Sequence, residues 1–270
     1  MQLSIEVLAS QVDAFINAYQ KSDFKDSLNK NDLTILIPHV NGKPYTTVIN
    51  ASNELIENGF TVMPHLGVRN LNTEDNLDHI NQFLNTQTKS VLLLGGDNNK
   101  PQRFESVLQF LKEQWENNNA IPVDKIAFAV FPEGHPHIEA EEGISILNEK
   151  IKWANEQGIQ CNGFSQICLE AQPIIQQSTV FDNQHINFAI SFVAPCKIPQ
   201  LLKLTAISGV KNAMSFVKKH NVYKMLSTYD SDSLIQEMKQ ANIKPNGLHC
   251  YAFGNYAGAL KKLASYSANL

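Results

Sequence analysis

Eight short apolar segments, each set off by a longer stretch, restrict the folds open to this chain more than any other feature. They cover residues 3–7, 33–38, 60–63, 90–94, 125–131, 158–166, 186–194 and 247–252. The first connecting stretch places Val12, Phe15, Ile16 and Tyr19 at helical spacing. Further helices are expected over 46–57, from about 72–75, and over 101–116, 139–156, 198–207, 211–219 and 231–241, with a last one from about 256. Several segments, such as Val91-Leu92-Leu93-Leu94, are nearly continuous apolar runs. A strand of a parallel sheet covered on both faces has that character. Eight β/α units in about 250 residues fit a (β/α)8 TIM barrel, here a single α/β domain over residues 1–270. An open, doubly wound sheet is the competing architecture, but no GxGxxG follows the first strand.

Composition narrows the partners. The 22 Lys and Arg against 26 Asp and Glu leave a net charge of −4, the opposite of the broad basic surface that nucleic-acid binding needs. No apolar run approaches the roughly 18–20 residues of a membrane span. The first residues, Met1-Gln2-Leu3-Ser4-Ile5-Glu6-Val7, lack a charged region followed by a long apolar one. A cytoplasmic location, with neither nucleic acid nor membrane as partner, is therefore expected. The four cysteines, Cys161, Cys168, Cys196 and Cys250, form no CxxC pair and are expected to be reduced and mostly buried. Oligomeric state is not legible.

In a parallel barrel, function lies where the strands end. Those ends carry Glu6, Pro38-His39, Pro64-His65 with Arg69 nearby, Gly95-Gly96-Asp97, Phe131-Pro132-Glu133-Gly134-His135, Gln166 and His249. Each has a plain structural explanation. Glu6, in an apolar strand, needs a partner or a polar mouth, because burying a lone carboxylate is costly. Gly95-Gly96-Asp97 has turn composition, although glycines also let a flat ligand approach the backbone. His65 reads equally as a loop histidine, Gln166 as a core amide and Lys150 as a solvated helix residue. Glu133-Gly134-His135-Pro136-His137 has alternating residue types that can ligate zinc, but further ligands are not evident and no metal is expected. Only the coincidence of these residues at successive strand ends favours a shared site.

In order along the chain, these segments resemble the methylenetetrahydrofolate reductase family, over nearly all 270 residues. Ser4-Ile5-Glu6-Val7 resembles its opening S-F-E strand, and Pro64-His65-Leu66-Gly67-Val68-Arg69 its P-H-(x)3-R segment. Val91 to Asp97 resembles the strand ending in R-G-D or G-G-D. Phe131-Pro132-Glu133-Gly134-His135-Pro136, the most specific, resembles Y/F-P-E-G-H-P. Phe164-Ser165-Gln166 resembles the T-Q segment, and Leu248-His249-Cys250-Tyr251-Ala252-Phe253-Gly254 the closing G-L-H-x-x-x-F-G of one bacterial branch.

The resemblance implies NAD(P)H-dependent reduction of 5,10-methylenetetrahydrofolate to 5-methyltetrahydrofolate, or the reverse in one-carbon catabolism, with FAD relaying the hydride. Folate and NADH or NADPH are the implied partners. Carried over residue by residue, Glu6 is the general acid, and Asp97 contacts pterin and flavin and favours the cationic intermediate. Gln166 holds the pterin edge, and His65, Gly96, Phe131, His135 and Lys150 line the flavin site. Val7-Leu8-Ala9-Ser10 replaces the usual F-F-P-P, Gly95 the usual Arg and Phe131 the usual Tyr. The missing Arg removes a partner for cofactor phosphates. Direct hydride transfer from NAD(P)H without flavin is therefore the first alternative. A folate-binding or methyl-transfer barrel is the second, and a metallohydrolase the third.

Overall fold

The computed structural model describes residues 1–24, 27–135, 137–183, 187–207 and 228–269. Its strands are β1 (Gln2–Glu6), β2 (Leu33–Ile37), β3 (Thr61–Gly67), β4 (Ser90–Leu94), β5 (Lys125–Val130), β6 (Gln160–Ser165), β7 (Asn187–Val193), β8 (Cys196–Lys197), β9 (Thr228–Tyr229) and β10 (Gly247–Tyr251). Eight of them close into a barrel in the order β1-β10-β7-β6-β5-β4-β3-β2, and every pairing in it is parallel. The short β8 and β9 form a separate antiparallel ladder. The chain is thus a (β/α)8 TIM barrel, as its pattern of segments predicts.

Closure joins the first strand to the last, from Gln2 opposite Gly247 to Glu6 opposite Tyr251. Gly247 is required there, because a Cβ would lie 2.9 Å from the Gln2 carbonyl oxygen. Successive side chains of a strand point to opposite faces, so each barrel strand feeds two packing layers. Leu3, Ile5, Ile35 and Phe128 face outward into the main core beneath the helices. Leu36, Met63, Leu92, Ala127, Phe164 and Ala189 pack with one another as the inner core. A third apolar cluster, built from Ile167, Leu169, Val193, Cys196 and Tyr229, lies at the end of β7 and beyond the end of β6.

The helices are α1 (Val12–Gln20), α2 (Thr46–Glu57), α3 (Leu77–Phe83), α4 (Val107–Phe110), α5 (Ala140–Glu156), α6 (Ala171–Asn183), α7 (Ile198–Ile207), α8 (Asp232–Gln240) and α9 (Tyr256–Ser267). The third strand runs beyond the expected 60–63 because Leu66 and Gly67 still pair with Leu93 and Leu94. The helix expected from 72–75 begins at Leu77. Asn72 instead folds its own turn, its Oδ1 accepting from the N–H of Glu74 at 2.8 Å. The one expected over 101–116 begins at Val107, capped by Ser106. The sequence pattern does not predict helix α6. The helix expected over 211–219, and residue 186 of the seventh strand, lie outside the described residues. All four cysteines are free and buried. No helix among the described residues is long and apolar enough to cross a membrane.

Candidate active site

Parallel closure brings all eight strand ends to one rim. On the β1 side, Glu6 stands in register with Tyr251. Glu6 keeps a partly accessible surface, yet protein surrounds its carboxyl closely enough that burial raises its pKa from 4.5 to about 7. Burial, and then the Glu6 charge, push the Tyr251 phenol well above its ordinary range. The Tyr251 hydroxyl donates to Gln166 Oε1 at 3.1 Å. That oxygen also accepts from the Ile167 N–H at 3.3 Å, so the Gln166 amide is held at a defined angle at the end of β6. Glu6, Tyr251 and Gln166 thereby form one group.

Deeper in the barrel lie two buried histidines, His65 on β3 and His249 on β10, 5% and 1% exposed. Desolvation, then the neighbouring imidazole, depresses each pKa to about 3. For His65 that neighbour is His39; for His249 it is His65. Both rings are therefore neutral at physiological pH. His249 Nδ1 sits 3.0 Å from Ser4 Oγ, and its ring meets Phe164 and Tyr251 edge-on. The Nε2 of His65 is buried with no hydrogen-bond partner among the described residues.

Asp97 follows β4 and is exposed at the rim. Gly96 before it has φ +88°, and a Cβ there would lie 2.6 Å from Asn70 Oδ1. Gly96, expected to admit a flat cofactor, is thus explained by close approach to a protein side chain. Phe131 and His135 meet edge-on at 4.6 Å, half-buried, after β5. Glu133, between them in sequence, reaches away to the next loop, where its Oε1 accepts from the Leu169 N–H at 2.8 Å. His135 Nδ1 accepts from the His137 N–H at 3.1 Å. Pro136 lies outside the described residues.

Lys150 does not join this rim. Its ammonium lies 5.8 Å from the ring of Phe128, which faces the helix layer, and burial lowers its pKa to about 8. Its expected place beside a flavin is corrected accordingly: helix α5 turns it onto the outside of β5. The described residues expected to line a flavin do not fit a cradle for a dinucleotide's diphosphate. His65 and His135 are an internal neutral ring and a ring tied to its own loop, position 95 has no side chain, and Lys150 is on the wrong layer.

Two residues that the sequence does not single out shape the site. Tyr251 follows His249 by two positions, so strand periodicity alone puts both on the inner face. Beyond it, Phe253 stacks on Tyr251 with centroids 5.8 Å apart and planes within 17°. Phe253 adopts φ +47°, a left-handed conformation uncommon for bulky residues, and remains half-exposed. The second is Asn70, for which the sequence offers no signal beyond its nearness to Arg69.

The chain matches no protein-family profile. Among solved structures it is similar to a family 18 chitinase from Crocus vernus, with 8% identity, a TM-score of 0.50 and 99% of each chain covered. It is also similar to the dihydropteroate synthase (FolP) of Thermus thermophilus, with 9% identity and a TM-score of 0.49 over 100% of this chain and 94% of that one. At 8% identity the likeness to the chitinase shows the barrel fold alone.

Proposed function

We propose that the chain is a folate-dependent oxidoreductase that passes a hydride between a nicotinamide nucleotide and the one-carbon unit of 5,10-methylenetetrahydrofolate. The observation that carries this is Glu6: a carboxyl whose pKa burial raises to about 7, at the mouth of a barrel, in register with the tyrosine that tethers Gln166. A general acid works best with a pKa near the operating pH. Supporting it are motifs at six strand ends that resemble the methylenetetrahydrofolate reductase family.

Protonated Glu6 gives its proton to the bridging nitrogen that departs as the methylene bridge opens. The carbon left on the other nitrogen becomes an iminium cation. Hydride from the reduced nicotinamide adds to that carbon, yielding the methyl group and the oxidised nucleotide, and Glu6 regains its proton from solvent. Asp97 at the rim favours the cationic stage electrostatically. Gln166, its angle set by Tyr251 and Ile167, presents one face of the pterin. Run backwards, the same groups oxidise the methyl compound. No step is assigned to FAD, because the residues expected to line it do not supply donors for its diphosphate.

The test is direct. Purified protein should oxidise NADH or NADPH only when methylenetetrahydrofolate is present, and Glu6→Gln should abolish turnover. No turnover with either nucleotide, with and without added FAD, would overturn the proposal. An absorbance spectrum separates the two hydride routes, since bands near roughly 380 and 450 nm would reveal a bound flavin carrying the hydride.

A further inference from the structure

Asn70 is 5% exposed, and its side chain serves three loops at once. Its Nδ2 donates to the His39 carbonyl, after β2, at 3.0 Å. Its Oδ1 accepts from the N–H groups of Asp97 and Asn98, after β4, at 3.1 Å each. The loops are also joined directly, the Arg69 N–H donating to the Gly95 carbonyl at 2.9 Å. A Cβ at Gly67 would lie 3.0 Å from Asn70 Nδ2 and one at Gly96 2.6 Å from its Oδ1. Both glycines therefore clear space for one carboxamide. Every ordinary partner it needs is backbone, so its role is to fix backbone positions.

We infer that Asn70 is a positioning residue, which sets the Gly96-Asp97-Asn98 turn and so delivers the Asp97 carboxylate to the mouth for a bound ligand. A buried amide suits this task. It offers a donor and an acceptor in one plane, so it can clamp a carbonyl on one side and two N–H groups on the other. It also carries no charge that would compete with Asp97 for a cationic intermediate. Beside the Arg69 N–H bond to the Gly95 carbonyl, the Asn70 amide is the side chain that holds the N–H groups of Asp97 and Asn98, and the Asp97 side chain itself is exposed. Removing the amide leaves two backbone donors unpaired and frees the turn.

This inference rests on the proposed role of Asp97 toward a folate, and its test has an arm that does not. In the full-length protein, amide hydrogen exchange should show the Asp97 and Asn98 N–H groups losing about tenfold or more of their protection in Asn70→Ala, with the barrel strands unchanged. Asn70→Asp keeps an oxygen for those two donors and should restore that protection. Binding of 5-methyltetrahydrofolate should weaken about tenfold in Asn70→Ala, and should weaken no further when Asn70→Ala is added to Asp97→Ala. Unchanged protection at 97 and 98, or additive weakening in the double variant, overturns the inference. If Asn70→Ala fails to fold, Asn70→Ser takes its place: its shorter side chain no longer reaches the N–H groups of Asp97 and Asn98, so their protection should fall, and unchanged protection overturns the inference. If the wild-type protein binds no folate, the proposed function fails, and the exchange arm still decides whether Asn70 sets the turn.

Discussion

The phenol of Tyr251 donates to the Gln166 carboxamide oxygen at 3.1 Å, tying the end of β10 to the end of β6 across the intervening β7. Two side chains 85 residues apart in sequence thus behave as one polar unit at the rim. Glu6, opposite Tyr251 in register, completes it.

Replacing Tyr251 by Phe keeps the ring against His249 at 4.8 Å and deletes only the tether. Steady-state kinetics should show KM for the folate rising about three- to tenfold with kcat changed less, the signature of lost ground-state positioning. Stability should fall by about 1 kcal/mol, the worth of one hydrogen bond. An unaltered KM would show that the tether does not orient the amide.

Glu6 imposes a pH dependence of definite sign. Its pKa is raised from 4.5 to about 7 in the folded protein, so between those values the native state holds a proton that the unfolded chain has lost. Its contribution to stability is most favourable at acid pH and declines as pH rises toward 7. Glu6→Gln should therefore stabilise the protein at pH 8 by up to about 3 kcal/mol, less to the extent that water reaches the carboxyl, and change little at pH 4. Turnover by the wild type should decline above about pH 7, as the acid form is lost.

His65 and His249 act in the opposite direction. Each is lowered from 6.5 to about 3, so the unfolded chain takes up protons first and stability drains away as pH falls from 6.5 toward 3. In the wild type, Glu6 offsets part of this loss. Denaturant titrations of Glu6→Gln at pH 7.5 and 5 should reveal a loss of roughly 3–4 kcal/mol, and His249→Asn in that background should cut it by about half. Equal stability at the two pH values would show that the imidazoles are not held neutral.

Glu133 clamps the loop that carries Gln166 through the Leu169 N–H. Glu133→Ala leaves that donor unpaired and should cost about 1–3 kcal/mol, whereas Glu133→Gln keeps an acceptor and should cost less than about 1 kcal/mol. Thermal denaturation of the two variants decides this, and a difference in the other order would refute the clamp.

Adjacent glycines provide an internal control. Gly96→Ala places a Cβ 2.6 Å from Asn70 Oδ1 at φ +88°, whereas Gly95→Ala meets nothing within 4 Å. Chemical denaturation should find Gly96→Ala destabilising by about 1–3 kcal/mol and Gly95→Ala by no more than about 0.5 kcal/mol.

The barrel strands were legible because inner and outer faces are both buried, so Val91 to Leu94 or Leu33 to Ile37 stand out as apolar runs between polar stretches. Glu6 was legible for the converse reason, as a charge where the pattern calls for an apolar residue. Helix α6 was not, since Pro173 in its first turn and Gln172, Gln176 and Gln177 blur the apolar stripe, although proline is tolerated near a helix start. Asn70 and Tyr251 act through partners 27 to 85 residues away, and no local spacing encodes such a meeting. Lys150 was misplaced because its place in a helix does not give the layer that the helix turns it into.

The pairing of β1 with β10 also governs the order in which the molecule can be completed. Ser4 meets Leu248 across 244 residues of chain. During synthesis, β1 can pair with β2 on one side, but its other edge waits about 10–50 s for β10 at ordinary elongation rates. Through that interval the nascent sheet has two open edges, β1 and the latest strand to join, which is β7 at the end, each able to recruit a foreign strand. Arrival of five residues, Gly247–Tyr251, seals both at once. A chain truncated just before that strand would keep seven of its eight barrel staves and leave both edges exposed to aggregation.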